Sequence, residues 1–344
     1  MQHRITEAGP LLDEKGRLIE KGYAKTLIRQ YDRARIRANR LRVKEWDYYL
    51  IASERYALAL TIADNGYMGL DSVSLLDFDG PWEQTVSKMC VMPLGKRGLP
   101  ADSRSGDIHA AGKGYEMTFL NDGKTRRLFG HMDSFRNGQT LLFDVTLRDA
   151  PKDSMVIATP FPGKPKAFYY NQKINCLRAE GKAVLGETEY LFAPAHSFAV
   201  LDWGRGVWTY KNTWYWGSAS GTVGGVPFGF NIGYGFGDTS AASENMLFYD
   251  GIGHKLSRVI FDIPMKDGRE DYLSPWRFSS DDGRFEMDFI PIIDRAACMD
   301  FKVLCSKQHQ VFGRFTGTAV LDDGRKIEVR NLPGFAEKVF NKWS

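Results

Sequence analysis

Asp202 and Arg205 stand inside LDWGRGVWTYKNTWYW (201–216), a stretch that also carries Trp203, Trp208, Trp214 and Trp216, four of the chain's eight tryptophans. His196 precedes the stretch, and Asn231, Glu244 and Asn245 follow it. A carboxyl group held among apolar side chains is disfavoured in its charged form and can donate a proton near neutrality. Asp202 and Glu244 are therefore candidate acids, with His196 a third candidate for proton transfer. An aspartate already paired with a guanidinium keeps a depressed pKa and donates poorly. Asp202 and Arg205 are close enough to pair across a turn, and that pairing is the expectation.

The aromatic residues point to a different use of the same region. Trp208, Tyr210, Trp214 and Trp216 are all even-numbered, so one extended strand would put them on one face, unless Lys211-Asn212 breaks it. FGFNIGYGFGD (228–238) alternates more strictly: Phe228, Phe230, Ile232, Tyr234 and Phe236 on one side, Gly229, Asn231, Gly233, Gly235 and Gly237 on the other. Glycine has nothing to pack in a strand interior, so a face of glycines leaves a groove for something else. Either the preceding tryptophans fill it or a ligand does. Strands near 206–216 and 226–237 are expected to pair antiparallel, with indoles over the glycines. FYYNQKINC (168–176) supplies a second polar-aromatic group, Tyr169, Tyr170, Asn171 and Lys173, in which Lys173 reads as a surface or ion-paired lysine. An apolar pocket with a few converging polar groups is the usual form of a small-molecule site. Its wall would be Trp208, Tyr210, Trp214 and Trp216, and its polar contacts Asp202, Arg205, His196, Asn231, Tyr170 and Asn171.

Familiar cofactor and metal chemistry finds no support. The six histidines show no HxH or HExxH spacing. In Gly217-Ser218-Ala219-Ser220-Gly221 the nucleophile position of a G-x-S-x-G elbow is an alanine. Gly233-Tyr234-Gly235-Phe236-Gly237 has the wrong spacing for a dinucleotide loop and lies in a strand-like run. No G-x-x-x-x-G-K-[ST] occurs. Neither cofactor nor metal is expected.

The elements that would position these residues are strands. Asn–Gly or Asp–Gly pairs at 65–66, 79–80, 122–123, 137–138, 250–251, 267–268, 282–283 and 323–324 suit the positive φ of tight hairpin turns. Alternating runs lie between them, such as 47–64, 114–120, 140–147, 257–263 and 284–290, and 317–332 reads as a whole hairpin. This cadence predicts an all-β fold of antiparallel barrels or sandwiches rather than βαβ units. Helix is expected only in the first 45 residues and at 334–343. The domain reading is an N-terminal arm with a basic helix over 1–45, a first β-barrel over 46–185 and a second over 186–344.

Composition is that of a soluble globular protein, 43% hydrophobic and 26% charged, with no apolar run of membrane-spanning length. The opening MQHRITEAGPLLDEKG lacks the apolar core of a secretory signal. Cys90, Cys176, Cys298 and Cys305 lack paired spacing, so reduced thiols and a cytoplasmic location are expected. Residues 1–44 hold 12 Lys/Arg against 5 Asp/Glu. RQYDRARIRANRLRVK (29–44) could meet nucleic acid or an anionic membrane. Ile28, Tyr31, Ala34 and Ala38 recur near helical spacing, however, so the plainer reading is a helix packed on the body with solvated arginines. No nucleic-acid-binding module accompanies it.

Several segments together resemble one bacterial family. They are GPLLDEKGRLIEKGYA (9–24), YYNQKIN (169–175), LDWGRGVWTYKNTWYWGSASG (201–221), GFNIGYGFGD (229–238), SENMLFYDGIGHKL (243–256) and VFGRFTGTAVLDDGRKIEVRNLPGFAEKV (311–339). The family is domain of unknown function 2804, with DWGRG and the tryptophans after it as the most specific part. Thr209 departs from it, a proline being common there. The family carries no assigned activity and so no catalytic residues. Its more distant likeness to tandem lipocalin-like proteins, carotenoid hydratases and Diels–Alderases among them, implies two calycin-like barrels and apolar ligands, as an analogy of fold.

Three functional readings follow. The first is a protein binding a small apolar or amphipathic ligand, lipid or terpenoid in type. The second is a cofactor-independent lyase, hydratase or isomerase acting on such a compound. The third is a scaffold docking on a membrane or partner through its basic segment. The sequence does not define an oligomeric state.

Overall fold

The computed structural model describes residues 2–300 and 305–342. All eight Asn/Asp–Gly pairs lie between consecutive strands that pair antiparallel, as in Arg126–Arg136 with Gln139–Arg148 and Cys305–Val320 with Lys326–Lys342. At Asn137-Gly138, Asp250-Gly251 and Asp267-Gly268 both residues have positive φ, the conformation that lets a two-residue turn follow the strands' right-handed twist.

The strands gather into two large sheets whose neighbours run antiparallel. The first is ordered Trp82–Val91, Met68–Asp77, Tyr56–Asp64, Val43–Ala52, Phe198–Val207, Lys164–Leu185, Gln139–Arg148, Arg126–Arg136, Tyr115–Asn121 and Ile108–Gly112. The second is ordered Ile252–Lys255, Met246–Tyr249, Val226–Tyr234, Lys211–Val223, Lys326–Lys342, Cys305–Val320, Phe285–Asp300, Trp276–Ser280 and Val259–Asp262. Each curls into a half-barrel over its own core. Tyr49, Leu60, Phe119, Leu128 and Phe143 fill the first, and Phe228, Phe230, Phe278, Phe289 and Phe315 the second. The chain leaves the first sheet after Val207 and enters the second at Lys211.

The expected helices are absent. Within 29–44 there are two single 3-10 turns, Arg33–Arg35 and Arg40–Arg42, capped by the side chains of Asp32 and Asn39. Anchors outside the segment prevent a continuous helix. Arg33 pairs with Glu45 and Arg29 with Glu20, while Arg42 Nε donates to the Trp208 carbonyl at 2.8 Å. Tyr31 is buried, Ile28 packs against the first core, and Arg35, Arg37 and Arg40 are exposed. At the other end, 334–342 belongs to the strand Lys326–Lys342, which pairs on both sides, with Lys211–Val223 and Cys305–Val320. Two full ladders outweigh a weak helical pattern; Trp343 lies outside the described residues.

The two sheets face each other across a seam. Tyr48, Leu50, Ala57, Ala59, Leu76 and Val200 of the first pack on Trp216, Phe312 and Phe335 of the second. The long strand Lys164–Leu185 bends at Cys176, where φ is +61°. At the bend Asn175 Nδ2 donates to Ser218 Oγ (2.8 Å) and the Phe230 carbonyl (3.0 Å). The Cys176 amide donates to Ser220 Oγ at 3.0 Å. The N-terminal arm spans both halves. Gln2 Nε2 donates to the Leu256 carbonyl (2.7 Å) and the His3 amide to Ala241 (2.8 Å), whereas Tyr23 pairs with Ile157 of the first sheet.

Candidate functional site

Strand alternation decides which polar residues meet in the seam. Asp202 lies opposite Lys173 on one neighbouring strand and Tyr48 on the other, and residues directly opposite share a face. That face also holds Tyr169, Asn171, Gly204, Gly206 and Trp46. Trp203 and Arg205, being odd-numbered, project to the opposite face, into the first barrel.

The expected Asp202–Arg205 pair is therefore not formed. The two lie on one continuous strand, and an odd separation sends them to opposite sides. Asp202 accepts instead from Lys173 Nζ at 2.7 Å and Asn171 Nδ2 at 2.6 Å. Arg205, fully buried, pairs with Asp47 at 2.9 Å and donates to the carbonyls of Trp46, Gly204 and Pro100. Its contacts are those of a structural cation in the first barrel.

From the second sheet, Trp216 lies opposite Gly233 and Trp214 opposite Val339. Trp216 Nε1 donates to Asn231 Oδ1 at 2.7 Å, and Asn231 Nδ2 to the Glu244 carbonyl at 2.9 Å. The Lys173 ammonium crosses the seam to within 3.8 Å of the Trp216 ring centre. Glu337 accepts from Trp214 Nε1 (2.8 Å) and Gln310 Nε2 (3.0 Å). Glu244 sits on the loop before Met246–Tyr249, and its carboxylate accepts no hydrogen bond from the described residues.

Burial sets the electrostatics. It pushes the Glu244 carboxyl up to about 7, against the pull of Lys173, with Asp202 adding to the rise and Lys255 opposing it. It raises Glu337 to about 7 as well, opposed by the Trp214 hydrogen bond, Lys173 and Arg295. Lys255 moves the other way, down to about 7, because its ammonium is buried. Tyr48 is raised to about 12 by the same desolvation. The seam thus holds three carboxyl groups around a single paired ammonium, with Lys255 and Arg295 farther out.

Some seam atoms are buried without a partner. The Tyr48 hydroxyl lies near Gln310 but out of hydrogen-bonding geometry, and Asn171 Oδ1, Asn175 Oδ1 and Gln310 Oε1 accept nothing. Beside them stands an aromatic wall. Phe236 is 4.8 Å from Tyr169, 4.9 Å from Trp208 and 5.3 Å from Trp214, between ring centres. Trp46 stacks on Tyr169 at 6.1 Å and meets Trp208 edge-on at 5.4 Å. Trp46 and Trp214 are only partly buried, so this wall is the end of the seam nearest solvent.

The seam collects Asp202, Glu244, Asn171, Asn231, Trp208, Trp214 and Trp216 of the residues singled out from sequence. His196 is in an exposed turn, Tyr210 is 45% exposed where the chain crosses between sheets, and Tyr170 faces the first barrel, donating to the Arg29 carbonyl at 2.8 Å. The strand is broken at 208–210, so the four even-numbered aromatics do not share one face. Thr209 donates to Asn212 Oδ1 at 2.7 Å within that break. Glu337, Gln310, Tyr48, Trp46 and Phe236 were not singled out. Glu337 does share parity with Phe335 and Val339, a carboxylate on an apolar stripe.

The glycine face is met by an indole in one place and by the first sheet in others: Trp216 stands opposite Gly233 and bonds Asn231 on that face. Val226–Tyr234 pairs with Lys211–Val223, but a Cβ on Gly229 would come within 2.7 Å of Cys176 Sγ, and one on Gly237 within 2.6 Å of Thr159 Cγ2. These glycines let the first sheet approach. A second indole, Trp46, lies on the bare backbone of Gly204 of DWGRG. Among the described residues no group of three or more His, Cys, Asp or Glu could hold a metal ion, and no helix is long and apolar enough to cross a membrane. The open surface concavities, one around Lys266–Asp271 and one lined by Trp82, Arg136, Gln139 and Tyr190, contain none of the seam residues.

No curated protein matches the sequence. Among solved structures, kievitone hydratase from Nectria haematococca is similar with a TM-score of 0.50 and 11% identity, over 88% of this chain and 89% of that one. CghA, solved with Sch210972, is similar with a TM-score of 0.47 and 13% identity, over 88% of each chain. At such identities the likeness is one of fold, and the fold is the tandem lipocalin-like one. The family described as domain of unknown function 2804 matches residues 2–343, and the chain belongs to it.

Proposed function

We propose that this protein binds a small apolar or amphipathic molecule in the seam between its two sheets. The observation that carries the reading is a convergence: unpartnered buried polar atoms of Tyr48, Asn171 and Gln310 lie near Asp202 and Glu337, Glu244 faces the same Lys173–Asp202 pair with a carboxylate that accepts no hydrogen bond from the described residues, and Tyr169 joins a wall of five aromatic rings. Leaving a buried polar atom unpaired costs about 1–3 kcal/mol, and a ligand's polar end would offset that cost while its apolar body covered the rings. The half-barrel interiors are filled by apolar side chains. The test is titration with the neutral fluorophore N-phenyl-1-naphthylamine. Saturable, one-to-one enhancement that Trp214→Ala and Phe236→Ala weaken is the expected result, and no enhancement would count against the reading.

One feature favours a catalytic second reading. Glu244 is a buried acid near neutrality with no guanidinium partner, which suits a proton donor in a cofactor-independent hydratase, lyase or isomerase. Asp202, held by Lys173, does not suit that role. Glu244→Gln would then abolish turnover of a bound compound and leave its affinity within about threefold, whereas equal turnover by both proteins would remove Glu244 as the donor and no turnover by either would leave only binding.

A further inference from the structure

The polar atoms of the seam also constrain the chemical class of its ligand, given that the seam is the binding site. We infer that the group received there is a neutral or cationic hydrogen-bond donor, an alcohol, phenol or amine, and not a carboxylate or phosphate.

The first line of argument is the count of what is unsatisfied. Asn171 Oδ1 and Gln310 Oε1 are buried acceptors without donors, and the Glu244 carboxylate accepts no hydrogen bond from the described residues. The amide orientations are fixed by what their nitrogens do: Asn171 Nδ2 donates to Asp202 Oδ1 and the Trp203 carbonyl (2.8 Å), and Gln310 Nε2 to Glu337. The flipped amides would turn oxygen towards oxygen. Against these acceptors stands the Tyr48 hydroxyl as an unpartnered donor. A ligand hydroxyl or amine completes more of these bonds than an acceptor can.

The second line is charge. Asp202 is 7% exposed, Glu244 6% and Glu337 5%, and the ammonium common to all three, Lys173, is already bound to Asp202. Lys255 faces Glu244 from the strand Ile252–Lys255, but its three protons are taken by Ser243 Oγ and the carbonyls of Asn245 and Leu256. Arg295 faces Glu337 from Phe285–Asp300 and donates to Ser74 Oγ at 2.7 Å. A ligand anion would meet up to three carboxylates against one guanidinium, Arg295, which keeps N–H groups beyond its bond to Ser74. Like charges a few ångströms apart with little water between them repel strongly. A cationic amine would be drawn by the same groups. The fatty carboxylates that suit many apolar cavities are disfavoured here.

The test compares three compounds with one apolar tail, decanol, decylamine and decanoate, as displacers of N-phenyl-1-naphthylamine at pH 7.5. The expected result is displacement by decanol and decylamine at concentrations at least about tenfold below those needed for decanoate. Decanoate displacing as well as decanol would overturn the inference and leave seam binding standing. A fluorophore that does not bind at all overturns both. The Glu244→Gln/Glu337→Gln double variant should bring decanoate to within about threefold of decanol, and unchanged discrimination in a folded double variant would count against the inference. If that variant does not fold, the wild-type protein at pH 5.5 serves instead. There the two glutamates are protonated, and decanoate's disadvantage should shrink; a disadvantage that holds or grows would overturn the proposal.

Discussion

The ammonium of Lys173 lies 3.8 Å from the centre of the Trp216 ring, so a cation on the first sheet is held by an indole on the second. The same ammonium is 2.7 Å from Asp202 Oδ1. One residue thus neutralises a buried carboxylate and ties the two sheets together. Removing it strands a charge. Lys173→Met is expected to destabilise the protein by about 3–5 kcal/mol in urea unfolding, the cost typical of breaking a buried ion pair. Asp202→Asn placed on top should recover most of that loss. A single variant as stable as wild type would show the pair to be energetically idle.

Stability should fall as pH rises from about 5 to about 7. Glu244 and Glu337 have pKa values raised by burial from 4.5 to about 7, so between those values the folded protein binds more protons than the unfolded chain. Their contribution is complete below the unfolded pKa and is lost as pH climbs through the folded one. Lys255, lowered from 10.5 to about 7, has the opposite effect above neutrality, where stability should rise again. Denaturant midpoints across pH 5–8 measure this, and Glu244→Gln should flatten the acid-side slope. An equally steep decline in the variant would remove Glu244 as its source.

Gly204→Ala should be costly although the strand there is regular. An added Cβ would sit 1.9 Å from Trp46 Cζ2, and the indole could leave only by breaking its stack on Tyr169 and its edge contact with Trp208. About 1–3 kcal/mol of lost stability is expected for overpacking of this kind. It should come with a change in tryptophan emission, because the aromatic wall would shift. Gly80→Ala, with no atom within 4 Å of the new methyl, is the control.

The basic segment should bind DNA weakly and without sequence preference. Arg29, Arg33 and Arg42 are already bonded within the protein, which leaves few cations to contact phosphates. Fluorescence anisotropy should show binding at low salt that is lost by roughly 0.2 M, as counterion release dictates. Sequence-dependent affinity at physiological salt would restore a recognition role to residues 29–44.

The local features of this chain were legible and the partnerships across it were not. A turn at Asn137-Gly138 depends on the conformational freedom of two adjacent residues, so sequence alone places it. The segment 29–44 misleads because its apolar spacing suits a helix, while the carboxylates and carbonyls that hold its arginines come from Glu20, Glu45 and Trp208. Asp202 and Arg205 look like a pair until a continuous strand sends them to opposite faces. Glu337 falls in 334–343, a segment whose pattern reads as a closing helix, so its strand neighbours are not visible in the sequence. Only the approach of Lys211–Val223 and Cys305–Val320 along its two edges, with the first sheet over its face, makes it a buried acid. Trp216 was visible as an aromatic near glycines, yet its contact with Lys173 spans two sheets, which no local pattern encodes.

The arm that begins at Gln2 on the second half has a mechanical consequence. His3 and Gln2 are tied to Ala241 and Leu256, and the last described strand also ends in the second sheet, with Lys342 beside Lys211. The first sheet is therefore a long loop closed at both ends by the second. A pull applied at Gln2 and Lys342 enters the molecule through one half only. In an optical trap the arm and the second sheet should yield first, and the first sheet should carry no load until the ties at Ala241 and Leu256 have given way.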